Sequence, residues 1–179
     1  MPDPVLRKAR FNMNDTQMIQ EHHGGYLLTP EGHKTLQEEL EHLTVVKRPE
    51  IADRIRESQQ HGEFSEDNNE LDEVKFEQAM VENRIAELKT IFGNATILDD
   101  SMIPTDYVGV GSRVHVEDAD YGDDFEIRIV TSIEADPDRD LVSNESPMGT
   151  ALMGHSVGDK ITFEAPEGKK HYKVLKIRK

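Results

Sequence analysis

The sequence predicts an α+β chain: an N-terminal antiparallel coiled-coil helical hairpin followed by a small, mostly antiparallel β domain. Three observations predict it. Two long stretches carry narrow apolar stripes at helical spacing, with only a few residues between them. A later stretch alternates apolar and polar residues over short runs. An acidic, proline-containing segment at 99–106 separates the two textures.

The first 25 residues carry Pro2, Pro4 and the run His22-His23-Gly24-Gly25 with no clean periodicity, and are expected to form a loosely ordered extension. Thr29-Pro30-Glu31 is a helix-start signal: a hydroxyl cap, a proline in the first turn and an acid near the positive end of the dipole. Leu36, Leu40 and Leu43 recur at spacings of four and three, and Ile51 and Ile55 resume the pattern. Pro49 removes a backbone donor inside this stretch, so a kink or local loosening is expected there. Gly62 suits the residue just past the helix end.

A second helical pattern starts near Ser65. Val74, Val81 and Leu88 stand seven apart, with Ile85 and Phe92 on the same side, and Gly93-Asn94 is a stop signal. Two helices joined by so few residues fold back on each other. Ala95 to Leu98 reads as a short strand. Arg113–Val116, Phe125–Val130, Lys160–Phe163 and Tyr172–Ile177 alternate as half-buried strands do, and Pro147–Gly154 suits one short helix. The expected organisation is an extension at 1–25, a hairpin domain at 26–98, a linker at 99–106 and a β domain at 107–179.

Composition narrows the chemistry. The 179 residues carry a net charge of −15, are 35% apolar and contain no Cys. Thiolate metal sites, a Cys nucleophile and disulfides are excluded. No apolar run is long enough to cross a membrane, no signal peptide is visible, and a cytoplasmic location without a membrane partner is expected. The acidity argues against gripping nucleic acid by neutralising phosphates. There is no P-loop, dinucleotide fingerprint or nucleophile elbow. Asp136-Pro137-Asp138-Arg139-Asp140 imitates the start of a calcium loop, but lacks its glycine and its closing acid, and reads as a solvated turn.

The segment between the helices is the most unusual. Residues 61–77 hold seven acids and one base, Lys75. Glu66, Asp67 and Glu70 fall where a helix dipole favours carboxylates, and Ser65 suits the cap. The same residues have a second reading. Glu63 and Glu66 on an exposed tip can lend oxygen ligands to a hard cation such as Mg²⁺, held jointly with another molecule.

Lys47-Arg48-Pro49-Glu50-Ile51 followed by His61-Gly62-Glu63-Phe64-Ser65-Glu66 resembles the hairpin of bacterial GreA/GreB transcript-cleavage factors. Ser146-Pro147-Met148-Gly149-Thr150-Ala151-Leu152-Met153-Gly154 resembles that family's Ser-Pro-x-x-x-x-Leu-x-Gly stretch. The turn at Val157-Gly158-Asp159-Lys160 and the closing strand are also similar, and together they cover residues 26–179. The resemblance implies an FKBP-like β domain that docks at the rim of the RNA polymerase secondary channel, with Ser146, Pro147, Gly149, Leu152 and Gly154 as docking candidates. It implies a hairpin that enters the channel beside the nascent RNA 3′ end. Glu63 and Glu66, with Asp67 as helper, would share the polymerase-held Mg²⁺ while Gly62 and Ser65 shape the tip. The factor would bind no metal stably alone, would be a monomer, and would act on transcription complexes, DNA included, without being an enzyme itself. Arg54, Arg56 and Lys75 are the candidates for the family's basic patch.

The tip departs from the family pattern. Glu63 stands where the family has Asp. Asp67-Asn68-Asn69-Glu70-Leu71 replaces Asn-x-Glu-Tyr, by substitution or by a one-residue insertion. A Gre-like regulator that binds the channel without promoting cleavage is therefore the alternative. A prolyl isomerase is a more distant one, since Tyr107, Tyr121, Phe125, Phe163 and Tyr172 are the only aromatics available to line its pocket.

Overall fold

A computed structural model describes residues 25–61 and 69–179, with the side chains of residues 60, 61, 69 and 70 left aside. The expected extension lies outside the described residues except for Gly25. Two compact units are present: Glu31–Ala95, and a second formed by the residues up to Pro30 together with Thr96–Lys179.

The first unit is the helical hairpin. It comprises α1 (Pro30–His42), a π-helical segment (Leu43–Lys47), α2 (Arg48–His61) and α3 (Asn69–Asn94). Pro49 does not break the helix. The Arg48 N–H donates to the Leu43 carbonyl, five residues back, so the helix widens in the turn before the proline. The expected loosening takes this form. Thr44 turns its hydroxyl onto the Leu40 carbonyl at 2.7 Å. Leu36, Ile51, Val74, Ile85, Leu88 and Ile91 are buried along the seam. Val81 and Phe92 are only half-buried, and Phe92 meets the His33 ring edge-on at 5.1 Å. Ile91 was not expected there. It occupies the place that a strict seven-residue repeat assigns to its neighbour, because an α-helix drifts against that repeat. At 1.5 Å per residue, the 26 residues of α3 span about 39 Å.

The second unit holds β1 (Tyr26–Leu28), β2 (Ala95–Ile97), β3 (Arg113–Asp118), β4 (Asp124–Val130), β5 (Leu141–Ser143), α4 (Pro147–Leu152), β6 (Lys160–Ala165) and β7 (Gly168–Arg178). β1 pairs with β2, and the other strands form one sheet in the order β5-β4-β3-β7-β6. All its pairings are antiparallel except β4 with β5. One face carries the core. Val114, Val116, Ile127, Ile129, Ile161, Val174 and Ile177 are buried there with Val108 and with Leu152 of α4. The other face is polar.

β7 contains a bulge. His115 pairs with Lys176 and Val116 with Val174, which leaves Leu175 unmatched. Lys173 and Lys176, three residues apart, consequently share the polar face. Residues 99–106, expected as a linker, contribute to this unit: Ile103 is buried with Leu98 and Val110.

Ser146-Pro147-Met148-Gly149 folds as a helix start. The Ser146 hydroxyl accepts from the Gly149 N–H at 3.0 Å, and Pro147 opens the first turn. A Cβ on Gly149 would lie 2.0 Å from the Ser143 carbonyl oxygen. Gly149→Ala is therefore expected to cost about 1–3 kcal/mol by forced backbone movement, read as a lower urea midpoint with unchanged slope.

Candidate functional site

The seven residues joining α2 to α3 hold the tip predicted from sequence. Gly62, Glu63, Ser65, Glu66 and Asp67 lie outside the described residues, and their brackets are what the structure shows. α2 and α3 run antiparallel, because contacts pair ascending residues of one with descending residues of the other. Arg48 joins Glu82 and Arg54 joins Glu77. Residues 62–68 thus join two antiparallel helices.

The shaft is zipped by charge. The Arg48 guanidinium donates from Nε and Nη2 to both Glu82 oxygens, at 2.7 and 2.5 Å. Arg84 donates in the same forked way to Glu39, at 2.7 and 2.9 Å, and from Nη1 to Glu87 at 2.9 Å. Hydrogen bonding to Glu39 is the main reason the Arg84 pKa lies above its ordinary value. Hydrogen bonding to Arg48 likewise holds Glu82 below the ordinary carboxylate range.

Two of the three basic-patch candidates are engaged in such pairs. Arg54 binds Glu77 across the hairpin, and Arg56 binds Asp53 on its own helix at 2.7 Å. Lys75 is exposed and forms no ion pair among the described residues. Met80 and Phe76, one turn apart on α3, are exposed apolar residues on the same shaft.

The docking candidates divide by burial. Leu152 is fully buried in the core and Gly149 is buried against the Ser143 carbonyl. Gly154 takes a left-handed φ of +77°, and its N–H donates to the Val108 carbonyl at 2.8 Å. These three shape the segment. Pro147 is exposed and Ser146 half-exposed. Of the aromatics, Phe125 and Phe163 pack against Tyr172, with ring centroids 5.5 and 5.4 Å apart, beside the core. Burial and the nearby Asp118 raise the Tyr172 pKa.

Glu134 was missed by sequence reasoning. It is buried, and its two oxygens accept from the Thr29 N–H and the Thr29 hydroxyl, each at 2.6 Å. Nothing local marks it, since it follows Thr131-Ser132-Ile133 in a turn-rich stretch and its partner is 105 residues away. The Thr131 hydroxyl adds a bond to the Leu27 carbonyl at 3.0 Å. Among the described residues, no group of three or more His, Asp or Glu is placed to hold a metal, and no helix is long and apolar enough to cross a membrane.

A charge-zipped pair of antiparallel helices and a five-stranded sheet bearing one short helix define a two-domain protein. Family comparison specifies which. The pattern described as "Transcription elongation factor, N-terminal" matches residues 26–97, and "Transcription elongation factor, GreA/GreB, C-term" matches residues 103–179. Transcription elongation factor GreA of Clostridium novyi (strain NT) is 47% identical over 153 residues, covering 86% of this chain and 96% of that protein. The GreA of Thermoanaerobacter pseudethanolicus is 46% identical, covering 86% and 97%. A crystal structure of GreA factor homolog 1 of Thermus thermophilus is 30% identical, covering 87% of this chain and 99% of that one, with a TM-score of 0.42. The chain belongs to the GreA/GreB family of transcription elongation factors.

The Arg48–Glu82 pair carries a pH signature. Because the folded-state pKa of Glu82 is depressed, its contribution is present above the ordinary Glu value of about 4.3 and is lost as pH falls through the lower folded value. The Tm difference between wild type and Glu82→Gln should therefore shrink from pH 6 towards pH 3. Arg84→Met should lower stability by about 0.5–1 kcal/mol, the scale of a partly exposed ion pair, as measured by urea titration of the helical signal.

Proposed function

We propose that this factor enters the secondary channel of bacterial RNA polymerase and stimulates cleavage of backtracked nascent RNA. Glu63 and Glu66 are the groups presented at the polymerase active site, with Asp67 beside them. The observation that carries this reading is the coincidence of two facts. Both family domains match in order over nearly all of residues 26–179, and Glu63, Glu66 and Asp67 stand in the sequence between α2 and α3.

The chemistry assigned to this chain is modest and specific. Exposed carboxylates are ionised at neutral pH without any tuning. Held on a zipped shaft, they add oxygen ligands beside a scissile phosphodiester and help to position the attacking water. Mg²⁺ supplies Lewis-acid stabilisation and a more acidic water when bound. The bond broken and the metal both belong to the polymerase complex, so the chain acts as a non-catalytic helper. Gly62 and Ser65 shape the turn. Exposed Pro147 and half-exposed Ser146 are the docking groups. Cellular action as a cytoplasmic monomer follows from the same reading.

The replacement of the family's Asp by Glu63 supports one rival, a channel-bound regulator without cleavage. An added methylene shifts the carboxylate by about 1 Å, enough to impair a positioned reaction. Stalled, backtracked complexes separate the two. Wild type should shorten the RNA rapidly in Mg²⁺. Glu63→Ala with Glu66→Ala should slow shortening by on the order of 10²-fold, as loss of a transition-state electrostatic group does, while binding persists. Wild-type binding with slowed elongation and no shortening would establish the rival.

A further inference from the structure

The hairpin is least secured by packing at the ends of α2 and α3 that residues 62–68 join. Past Ile51, no apolar residue of α2 is buried among the described residues. Ile55 is half-buried, and the buried side chain there is the hydroxyl of Ser58. From Ile51 to His61 the helix runs about 15 Å, at 1.5 Å per residue. On α3, Val74 is the first buried apolar residue among the described ones. Charge works against these ends as well. Asp53 and Glu57 on α2, and Asp72, Glu73 and Glu77 on α3, put acids on both helices. Like charges on neighbouring helices repel.

Arg54 bridges the two helices at this end. Among the described residues, ion pairs cross the hairpin at Arg84–Glu39, Arg48–Glu82 and Arg54–Glu77, and the last lies nearest to residues 62–68. Arg54 and Glu77 stand about 10–12 Å of helix from His61 and Asn69 respectively. The other cations of this stretch do not cross. Arg56 binds Asp53 on its own helix, and Lys75 forms no ion pair among the described residues.

The pair is poorly placed to supply stability. The Arg54 side chain is 50% exposed and that of Glu77 38%, and exposed pairs contribute little to folding. It is well placed to fix spacing and register, because it ties one residue of each helix together where the apolar seam has thinned. Misplacing a reacting group by about 1 Å can lower a rate on the order of 10²-fold. We propose that Arg54, acting through Glu77, is a positioning residue. The pair sets how the ends of α2 and α3 stand to each other, and so how Glu63 and Glu66 are presented. This rests on the role given above to those two acids. It also reverses the expectation that Arg54 belongs to a basic surface, where its guanidinium would touch phosphate itself.

Phosphate contact and positioning predict opposite signs at Glu77, so backtracked elongation complexes separate them. A phosphate-binding Arg54 would gain from Glu77→Ala. A positioning Arg54 loses its partner. Arg54→Ala and Glu77→Ala should therefore each lower the maximal rate of RNA shortening by about fivefold or more, while the half-saturating concentration of factor stays within about twofold of wild type. Arg54→Glu with Glu77→Arg should restore the rate to within about twofold. The urea midpoint should barely move in any of them, which sets these effects apart from general unfolding. The chain has no Cys, so spin labels on Gln59→Cys with Asp72→Cys report the separation of the helix ends in the free protein. The distance distribution should broaden in each alanine variant and narrow again in the swapped pair. That readout needs no polymerase, so it tests the pair separately from the acids. Unchanged distances, unchanged rates, faster shortening with Glu77→Ala, a swapped pair no better than the single variants, or a loss confined to the half-saturating concentration would each overturn the proposal. Absence of shortening by wild type is a distinct result, which would remove the role of the acids and this proposal with it.

Discussion

The buried carboxylate of Glu134 is the fixed point of the fold. It accepts two hydrogen bonds from a single residue, Thr29, from the far end of the sequence. A three-residue strand such as β1 has too few ladder bonds to persist alone. It is retained because Thr29 is gripped, the Leu27 carbonyl is bonded by Thr131, and the Leu28 carbonyl accepts from Leu98. The grip makes the residues before the hairpin part of the same unit as the residues after it. A carboxylate taken out of water would be costly if unmatched, and here both oxygens are satisfied.

The hairpin shows how an acidic protein employs its charge. Its seam is a single row of buried residues, so each helix has only one partner and little core. Forked Arg–Glu contacts at Arg48 and Arg84 supplement that row and fix which residues lie opposite. Arg54 is drawn into this zipper, and Arg56 is paired with Asp53 on its own helix. The shaft therefore offers neighbouring molecules mostly acid and neutral groups, with Lys75 left without an ion pair among the described residues, and exposed lysines also stand on β6 and β7. The net charge of −15 conceals this separation of roles.

Much of this was legible in the sequence, and the exceptions have physical causes. Helices at 30–61 and up to Asn94 followed from stripes several turns long, and the longer strands followed from alternation. β1 and β5, at three residues each, are too short to show a period. The form of the helix around Pro49 was not legible. A proline announces a missing donor but not whether the chain kinks or widens. The bulge at Leu175 was hidden for a related reason, since a period-two pattern continues on either side of it while its phase changes. In the candidate site, sequence singled out the Ser146–Gly154 segment, while the tip acids lie outside the described residues. It could not divide that segment into exposed Pro147 and buried Leu152, nor foresee that Arg54 would be spent on Glu77. Those outcomes depend on which helix faces which.

The π-helical turn at Leu43–Lys47 holds one more residue than an α-helical turn between the same hydrogen-bonded ends. It is a reserve of chain length inside an otherwise rigid element. A lineage could lose a residue there, or regain it, while the helix on either side stayed continuous. Because the hydrogen-bonded ends keep their separation, such a change leaves the length of the shaft almost unaltered and turns the helical faces on either side relative to each other.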